Sequence, residues 1–446
     1  MIKHNLIAAI LCIFAAGAVC PLAAQDFRQM TLAEMFAAAD SLNASIQAAE
    51  SAKAASQVGV EVAKNAYLPN VNISASVGYN GLGYSFDRNF TNAVNEEIPG
   101  FGNNFAVAVS QVVFAGGAIK NGVEACELAS QLAALSAEGK RQDVRFLIVG
   151  NSLEIKKIQN LLKVIDSNIE VVGQVIDDMK ERYSNGTVLK NDITRFELQL
   201  QGLKQTRIQL DGALRIQQSQ LAAALGYTLD VRIEPQVEDL DESSVEDGSH
   251  WRSNALESSI GVRSAELAHK LSLKEIDIAR SERYPKIALY AADNLNGPDI
   301  TTFISGKMAG FGSLDKNFNF MTVGIGLSYD LDNLYKTGKK IRQKRIASQQ
   351  SFYDLENASR QIEVGANASY ISYENALAVL ETKAKSVELA HESFDVVRSQ
   401  YESDLALVTD LLDATSRVLD SESQLVNARM DVIYNYYKLL YICGKI

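Results

Sequence analysis

The sequence contains few histidines, cysteines and prolines, and each shortage excludes a class of protein. Four histidines and four cysteines occur among 446 residues, with no His-Glu-x-x-His motif and no cysteine pair at metal-ligand spacing. The sequence therefore predicts no enzyme, no metal site and no cofactor. The six prolines avoid every segment with apolar heptads, where a proline would cost about 3 kcal/mol. Long uninterrupted helices are expected there.

Positive charge is also scarce. The formal net charge is −11 and the isoelectric point is near 5.1, and no basic stripe is evident that would neutralise phosphates, so nucleic acid is not an expected partner. Mean hydropathy is −0.05, and the one long apolar run lies at the start of the chain. This composition excludes a membrane protein built from apolar helices.

The first 25 residues predict a secretory signal peptide. A basic start, Met-Ile-Lys-His, precedes the apolar run from Leu6 to Val19, and small residues follow before Gln25. The run is too short for a membrane span, although a retained anchor helix remains the alternative. Lipidation at Cys20 is not favoured, because no large apolar residue lies three positions before it. The remaining cysteines, Cys126 and Cys443, are expected to lie too far apart along long helices for a disulfide, which needs Cα atoms within about 7 Å.

The chain is internally duplicated, with the same heptad register in both copies. Apolar heptad positions in the first copy recur 218 positions later: Ile169, Val172, Ile176, Met179 and Tyr183 correspond to Val387, Ala390, Phe394, Val397 and Tyr401. A break follows each tyrosine, at 184–191 and at 402–409, and the heptads resume beyond it. Each copy therefore predicts two long helices packed as a coiled-coil hairpin.

Four segments alternate apolar with small or polar residues and predict β-strands at 70–83, 103–114, 286–294 and 320–330. Four strands cannot close a barrel, since closure needs about eight or more. The strands therefore favour an oligomer, and three copies would supply about twelve strands. A soluble β-subdomain on a helical stalk remains the alternative.

The predicted organisation consists of two repeats after the signal peptide. The first repeat covers 26–229 and begins with a capping box, Thr31-Leu-Ala-Glu34, on a helix expected to reach about Ala66. An acidic linker at 230–250 is expected to be a solvated surface segment, with a protein-binding role left open. The second repeat covers 251–446.

Several short motifs in this order resemble the TolC-type family of outer-membrane efflux and secretion channels. They include the strand-to-helix exit Val113-Phe-Ala-Gly-Gly117, the helix-to-strand junctions Ala66-Tyr-Leu-Pro-Asn70 and Arg283-Tyr-Pro-Lys286, and the second turn Leu407-Val-Thr-Asp-Leu-Leu-Asp-Ala-Thr415 followed by Asn427-Ala-Arg429. The resemblance spans essentially the whole chain after the signal peptide.

The resemblance implies a mixed α+β membrane protein that forms a homotrimer. Each chain would contribute four transmembrane strands to a twelve-stranded barrel in the outer membrane, and its long helices would build a coiled-coil tunnel through the periplasm. Such channels are the exit ducts of tripartite efflux pumps or type I secretion systems. They dock a periplasmic adaptor protein that links them to an inner-membrane RND or ABC transporter. A periplasmic scaffold protein without channel activity is the alternative from a different class.

The resemblance also implies roles for individual residues in the two helical hairpins. Asp410 and Asp413 match two aspartates that narrow the periplasmic end of the tunnel, although both could instead cap a helix. Asp192 and Tyr401 match a pair that latches the two hairpins of the closed state together. The arginine of that latch is replaced by Ala406, so a hydrogen bond from the Tyr401 hydroxyl to Asp192 is the expected remainder.

The two hairpin tips are the surfaces that the resemblance assigns to adaptor contact. The residues concerned are Asn185, Gly186 and Thr187 in the first copy and Ser403, Asp404 and Leu405 in the second. Gly186 is expected to adopt positive φ at its turn. The second copy departs from this pattern, because Asp404 stands where the family has a glycine.

Overall fold

The computed structural model describes residues 27–79, 83–91, 93–96, 101–237, 247–297 and 318–446. The predicted signal peptide and Cys20 lie outside the described residues. The chain divides into two compact units. We call the unit formed by Met1–Glu50, Ser136–Val262 and Ser359–Ile446 the helical unit, and the unit formed by Ser51–Leu135 and Arg263–Ala358 the sheet unit.

Eight α-helices are found among the described residues. They are α1 (Leu32–Leu42), α2 (Ala44–Lys64), α3 (Ala118–Ser184), α4 (Lys190–Leu225), α5 (Gly248–Ser258), α6 (Ile260–Ser281), α7 (Asn333–Glu402) and α8 (Val408–Ile442). With 67 and 70 residues, α3 and α7 far exceed the average of about 11–12 residues for globular helices. No helix in the described part of the chain is both long and apolar enough to cross a lipid bilayer.

The first helix begins as predicted but ends earlier. Glu34 accepts a hydrogen bond from the Thr31 backbone N–H at 2.8 Å, and the Thr31 hydroxyl accepts one from the Glu34 backbone at 3.3 Å, which confirms the capping box. The expectation of one helix reaching about Ala66 is wrong. Asn43 interrupts it, because its side-chain oxygen accepts the backbone N–H groups of Ser45 and Ile46 and starts a second helix, α2.

A four-stranded antiparallel sheet forms the centre of the sheet unit. Its strands are β2 (Asn70–Tyr79), β5 (Phe101–Phe114), β7 (Lys286–Gly297) and β8 (Phe318–Ser328), hydrogen-bonded in that order. The sequence did not predict the short hairpin of β3 (Gly83–Phe86) with β4 (Ala93–Glu96). In the helical unit, β1 (Phe27–Thr31) pairs in parallel with β6 (Arg232–Gln236).

The apolar side chains of the sheet are exposed rather than packed on a core. Ile73 on β2 and Val323, Ile325 and Leu327 on β8 are all exposed. Along β8 these residues alternate with Gly324, against which the Tyr290 ring of β7 packs; a Cβ at Gly324 would lie 2.7 Å from the Tyr290 hydroxyl oxygen. Within the described residues, β2 and β8 each pair with one strand of this sheet and leave their other edges open.

The helical unit has a core where the two long hairpins meet, near the turns that end α3 and α7. Its buried members are Ile165, Val172, Val175, Ile176, Met179, Ile193, Phe196, Leu203, Tyr401 and Leu411. Both hairpins therefore contribute heptad positions to one apolar cluster, which fixes the two turns side by side.

Candidate functional site

The candidate site is the pair of hairpin tips, which have the same backbone hydrogen bonds. After α3, the N–H of Thr187 donates to the Arg182 carbonyl at 3.1 Å and that of Gly186 donates to Tyr183 at 3.0 Å. After α7, the N–H groups of Leu405 and Asp404 donate to Gln400 at 2.8 Å and Tyr401 at 3.1 Å. Both patterns are Schellman motifs, which need a left-handed residue just after the helix.

That left-handed position is filled differently in the two tips. Gly186 has φ +76° and Asp404 has φ +61°. Glycine adopts this conformation without cost, whereas most L-residues pay roughly 1–2 kcal/mol and aspartate pays less than most. Asp404 therefore keeps the turn of the missing glycine and adds a carboxylate at the tip.

The carboxylate of Asp404 meets an arginine from the other hairpin. Arg182, in the last turn of α3, places Nη2 2.5 Å from Asp404 Oδ1. Its Nη1 donates to the Tyr401 carbonyl at 3.1 Å and Nη2 donates to the Glu402 carbonyl at 3.4 Å. These carbonyls end α7 and lack partners within the helix, so Arg182 caps that end and offsets its partial negative charge.

Tyr401 lies under the same guanidinium, whose Cζ is 5.1 Å from the ring centroid. The side chain is 8% exposed, and among the described residues its hydroxyl has no hydrogen-bond partner. Burial raises the pKa of Tyr401, and the charge of Asp192 adds to that rise while Arg182 opposes it. The expected hydrogen bond from Tyr401 to Asp192 is therefore absent: Asp192 acts on Tyr401 only through its charge, and Arg182 contacts Tyr401 directly.

Asp410 and Asp413 lie on the first turns of α8 and are exposed. The Asp410 carboxylate accepts the backbone N–H of Leu407 at 3.1 Å, so Asp410 caps the helix. Asp413 accepts from Arg417 Nε at 2.8 Å, one turn along. Asp192 occupies the corresponding place in the first copy, three residues after Leu189, which begins α4 as Leu407 begins α8.

All six predicted tip residues, Asn185, Gly186, Thr187, Ser403, Asp404 and Leu405, are exposed. Leu405 is 80% exposed, and Leu189 and Leu407 beside the turns are also exposed. The heptads that resume beyond each break predict that Leu189 and Leu407 face inward, and this is wrong, since both are exposed; sequence reasoning missed Arg182. Arg182 has a visible sequence signal, because it corresponds to the uncharged Gln400 at the 218-residue spacing.

The side chains at the two hairpin tips are suited to contact with another protein, with charged groups beside exposed apolar ones. The described residues contain no group of three or more His, Cys, Asp or Glu side chains that could hold a metal ion. Cys126 and Cys443 are both free thiols. What the tips offer are exposed leucines, carboxylates on a helix N-terminus and one arginine that joins two hairpins.

One family model matches most of the chain. The sequence model of a family described as "Outer membrane efflux protein" matches residues 37–227 and 251–445. No match is found among curated proteins. Solved structures with the same fold include the outer membrane protein VceC from Vibrio cholerae (14% identity, TM-score 0.76, covering 93% of this chain and 96% of that one) and the CmeC outer membrane channel from Campylobacter jejuni (13% identity, TM-score 0.71, covering 93% and 85%).

Proposed function

Since the chain belongs to the outer membrane efflux protein family, we propose that three copies assemble into the exit channel of a tripartite efflux pump or type I secretion system. The protein resides in the outer membrane. In the proposed trimer, the sheets of three chains close one barrel of twelve strands and the long helices line a tunnel in the periplasm. The channel is passive, and the inner-membrane transporter selects the cargo.

The observation that carries this proposal is the four-stranded sheet. Its outer strands β2 and β8 have open edges among the described residues, and its apolar side chains are exposed. In water such edges invite uncontrolled pairing and such side chains are unfavourable. Pairing β8 of one copy with β2 of the next removes every edge, and lipid covers the apolar face. A soluble β-subdomain would instead need a core on that face.

The hairpin tips support a docking role and a gate in the same proposal. Exposed Leu405, Leu189 and Leu407 supply the apolar contact area that a periplasmic adaptor would cover. Around a threefold axis, Asp410 and Asp413 would form two rings of three carboxylates, six in all, that attract cations. Arg182 would hold the hairpins together in the closed state, in place of the arginine that the family resemblance expects at Ala406.

Planar-bilayer conductance of the detergent-purified, size-calibrated protein tests the proposal. A trimer that gives small, cation-selective current steps is the expected result. A monomer that washes off membranes with salt and gives no current would contradict the channel function and favour a periplasmic scaffold protein.

A further inference from the structure

The start of α7 is positively charged, whereas the chain as a whole is negatively charged. Residues 333–353 contain six lysines and arginines and no aspartate or glutamate, whereas the whole chain carries −11. This local excess of positive charge is not visible in the net charge of the chain, which is acidic. The corresponding residues 115–135, 218 positions earlier, contain one lysine and two glutamates. The duplicated scaffold therefore does not require basic residues at this place.

Three of the six cations have partners within the sheet unit. Lys336 pairs with Asp332, and Lys340 pairs with Glu282. Lys344 Nζ lies 2.7 Å from Glu275 Oε2. The first pair is local to the start of α7, and the other two fasten α7 to α6 and to the residue that follows it. They explain half of the basic run as structural.

The other three cations form what we call the basic face: Lys339, Arg342 and Arg345. All three are exposed, and none has an ion pair or hydrogen bond with any described residue. They are three residues apart, so they lie along one side of α7. By contrast, the two glutamates near the start of α3 form ion pairs within the sheet unit: Glu124 pairs with Lys274 at 2.6 Å and Glu127 with Lys64 at 3.1 Å.

The basic face lies close to the end of the sheet at which β8 leads into α7. Only four residues separate the end of β8 at Ser328 from the start of α7 at Asn333. That connection and the first turn carry three exposed apolar side chains: Leu331, Leu334 and Tyr335. Apolar and aromatic residues followed within two turns by unpaired cations are the pattern of a chain that leaves a membrane through its headgroup layer.

We propose that the basic face binds the phosphate groups of anionic phospholipids in the inner leaflet of the outer membrane. The inference rests on the proposed function, which places the sheet in that membrane. Each lysine or arginine near an anionic bilayer surface strengthens binding roughly fivefold. Bound lipid would seal the junction where the strands become helices.

A neighbouring copy of the chain is the competing occupant, and its charges fit poorly. In the proposed barrel, β8 of one copy adjoins β2 of the next, which brings α2 toward α7. In the sheet unit, α2 carries one acid, Glu61, and two lysines, Lys53 and Lys64. This segment has a net positive charge and cannot neutralise three further cations, whereas an anionic leaflet can.

The test is a titration of the purified trimer in uncharged detergent with phosphatidylglycerol labelled on its acyl chain. The variant combines Lys339→Gln, Arg342→Gln and Arg345→Gln. We expect about a hundredfold weaker binding of phosphatidylglycerol, no change for phosphatidylcholine, and loss of the difference between wild type and variant at high salt. Equal affinity of wild type and variant would overturn the proposal.

A matched control keeps the same charge change away from the basic face. Lys180→Gln, Lys190→Gln and Lys204→Gln remove three exposed cations of the helical unit and should leave lipid affinity unaltered. Dissociation of the basic-face variant into monomers would show that the face is a contact between copies. Competition by inorganic phosphate at equal concentration would show that the face binds free anions. Either result overturns the lipid assignment. Bilayer conductance of the same preparation reports separately on the channel, since binding in detergent does not require an open pore.

Discussion

Arg182 and Asp404 join the two helical hairpins, with Nη2 and Oδ1 2.5 Å apart across 222 positions of sequence. The same guanidinium caps two carbonyls at the end of α7 and covers the Tyr401 ring. One side chain of the first copy thus makes an ion pair, two capping hydrogen bonds and a cation–π contact with the second. The Asp404 side chain is 74% exposed, so the ion pair alone is weak and the combination carries the contact.

Replacing Arg182 should loosen the tips. Arg182→Gln removes the charge that caps α7 and pairs with Asp404, while a polar side chain of similar length remains. A contact worth about 1 kcal/mol shifts a two-state equilibrium about fivefold. We expect larger or more frequent current steps in planar bilayers and faster proteolysis at the two tips. Lys180→Gln, two residues earlier and exposed, should match wild type; equal behaviour of both variants would remove Arg182 from the latch.

Substitutions at Asp404 separate its backbone role from its charge. Asp404→Gly keeps the left-handed turn, Asp404→Asn keeps a side chain that tolerates it, and Asp404→Ala pays roughly 1–2 kcal/mol of backbone strain. We expect the alanine variant to have the lowest apparent melting temperature. All three variants lose the ion pair and should share the conductance change of Arg182→Gln. A glycine variant as unstable as the alanine variant would contradict the backbone account.

The features that were predictable from sequence depend on local periodicity or local capping. The heptad seam at Val172, Ile176 and Met179 is buried as expected, because a 3.5-residue repeat can face only one side of a helix. The Thr31–Glu34 box was visible because its two residues lie within one turn. The positive φ of Gly186 follows from its place after a long helix.

The features that were missed depend on contacts between distant segments. The partner of Arg182 is 222 residues away, and no periodicity points to it. The break at Asn43 depends in part on Asn43 Nδ2 donating to the Ala224 carbonyl at 2.7 Å, 181 positions along the chain. The predicted Tyr401–Asp192 bond came from resemblance alone; in the structure the Tyr401 ring packs against Arg182, and its hydroxyl has no hydrogen-bond partner among the described residues.

The aspartates of α8 give a prediction that distinguishes a gate from a helix cap. Asp410→Asn keeps an oxygen that can accept the Leu407 N–H but removes the charge, whereas Asp410→Ala removes both. If the charge narrows the pore electrostatically, then each of these changes combined with Asp413→Ala should raise single-channel conductance and weaken block by divalent cations. If Asp410 only caps the helix, conductance stays at wild type and only the alanine variant loses stability, by roughly 0.5–2 kcal/mol.

Asp211→Asn is the charge control for that series. Asp211 is a partly exposed acid on α4 that pairs with Arg215 at 2.7 Å, one turn along, as Asp413 pairs with Arg417. Asp211→Asn removes one negative charge, half the change in the α8 double variants, without touching the tips. A conductance increase in Asp211→Asn as large as in the α8 variants would show a general surface-charge effect and not a gate.

Tyr441 predicts a loss of stability at high pH. Its hydroxyl donates to Asp143 Oδ1 at 2.6 Å, and this hydrogen bond, with burial, raises the pKa of Tyr441 from 10.0 to about 12. Because the folded state holds the proton more tightly, the contribution to stability is fully present below pH 10.0 and disappears as the pH rises through about 12. Asp143→Asn should lower the pKa of Tyr441, seen as phenolate absorbance that Tyr441→Phe lacks. An unchanged titration would show that Asp143 does not hold the proton.

Two glycines near the foot of the sheet should respond in opposite directions to alanine. Gly116 has φ +62°, and a Cβ there would lie 2.7 Å from the Ser281 carbonyl oxygen and 2.8 Å from Tyr284 Cβ. The strained backbone alone costs roughly 1–2 kcal/mol, and the clash with a backbone atom adds to it, so Gly116→Ala should lower the apparent melting temperature and the yield of trimer. Gly338, within α7, has no atom within 4 Å of a Cβ, so Gly338→Ala should stabilise the helix by about 1 kcal/mol. The rings of Phe114 and Tyr284 lie 6.3 Å apart between centroids, which places the strand-to-helix exit against the end of α6. Equal tolerance of both changes would contradict that contact.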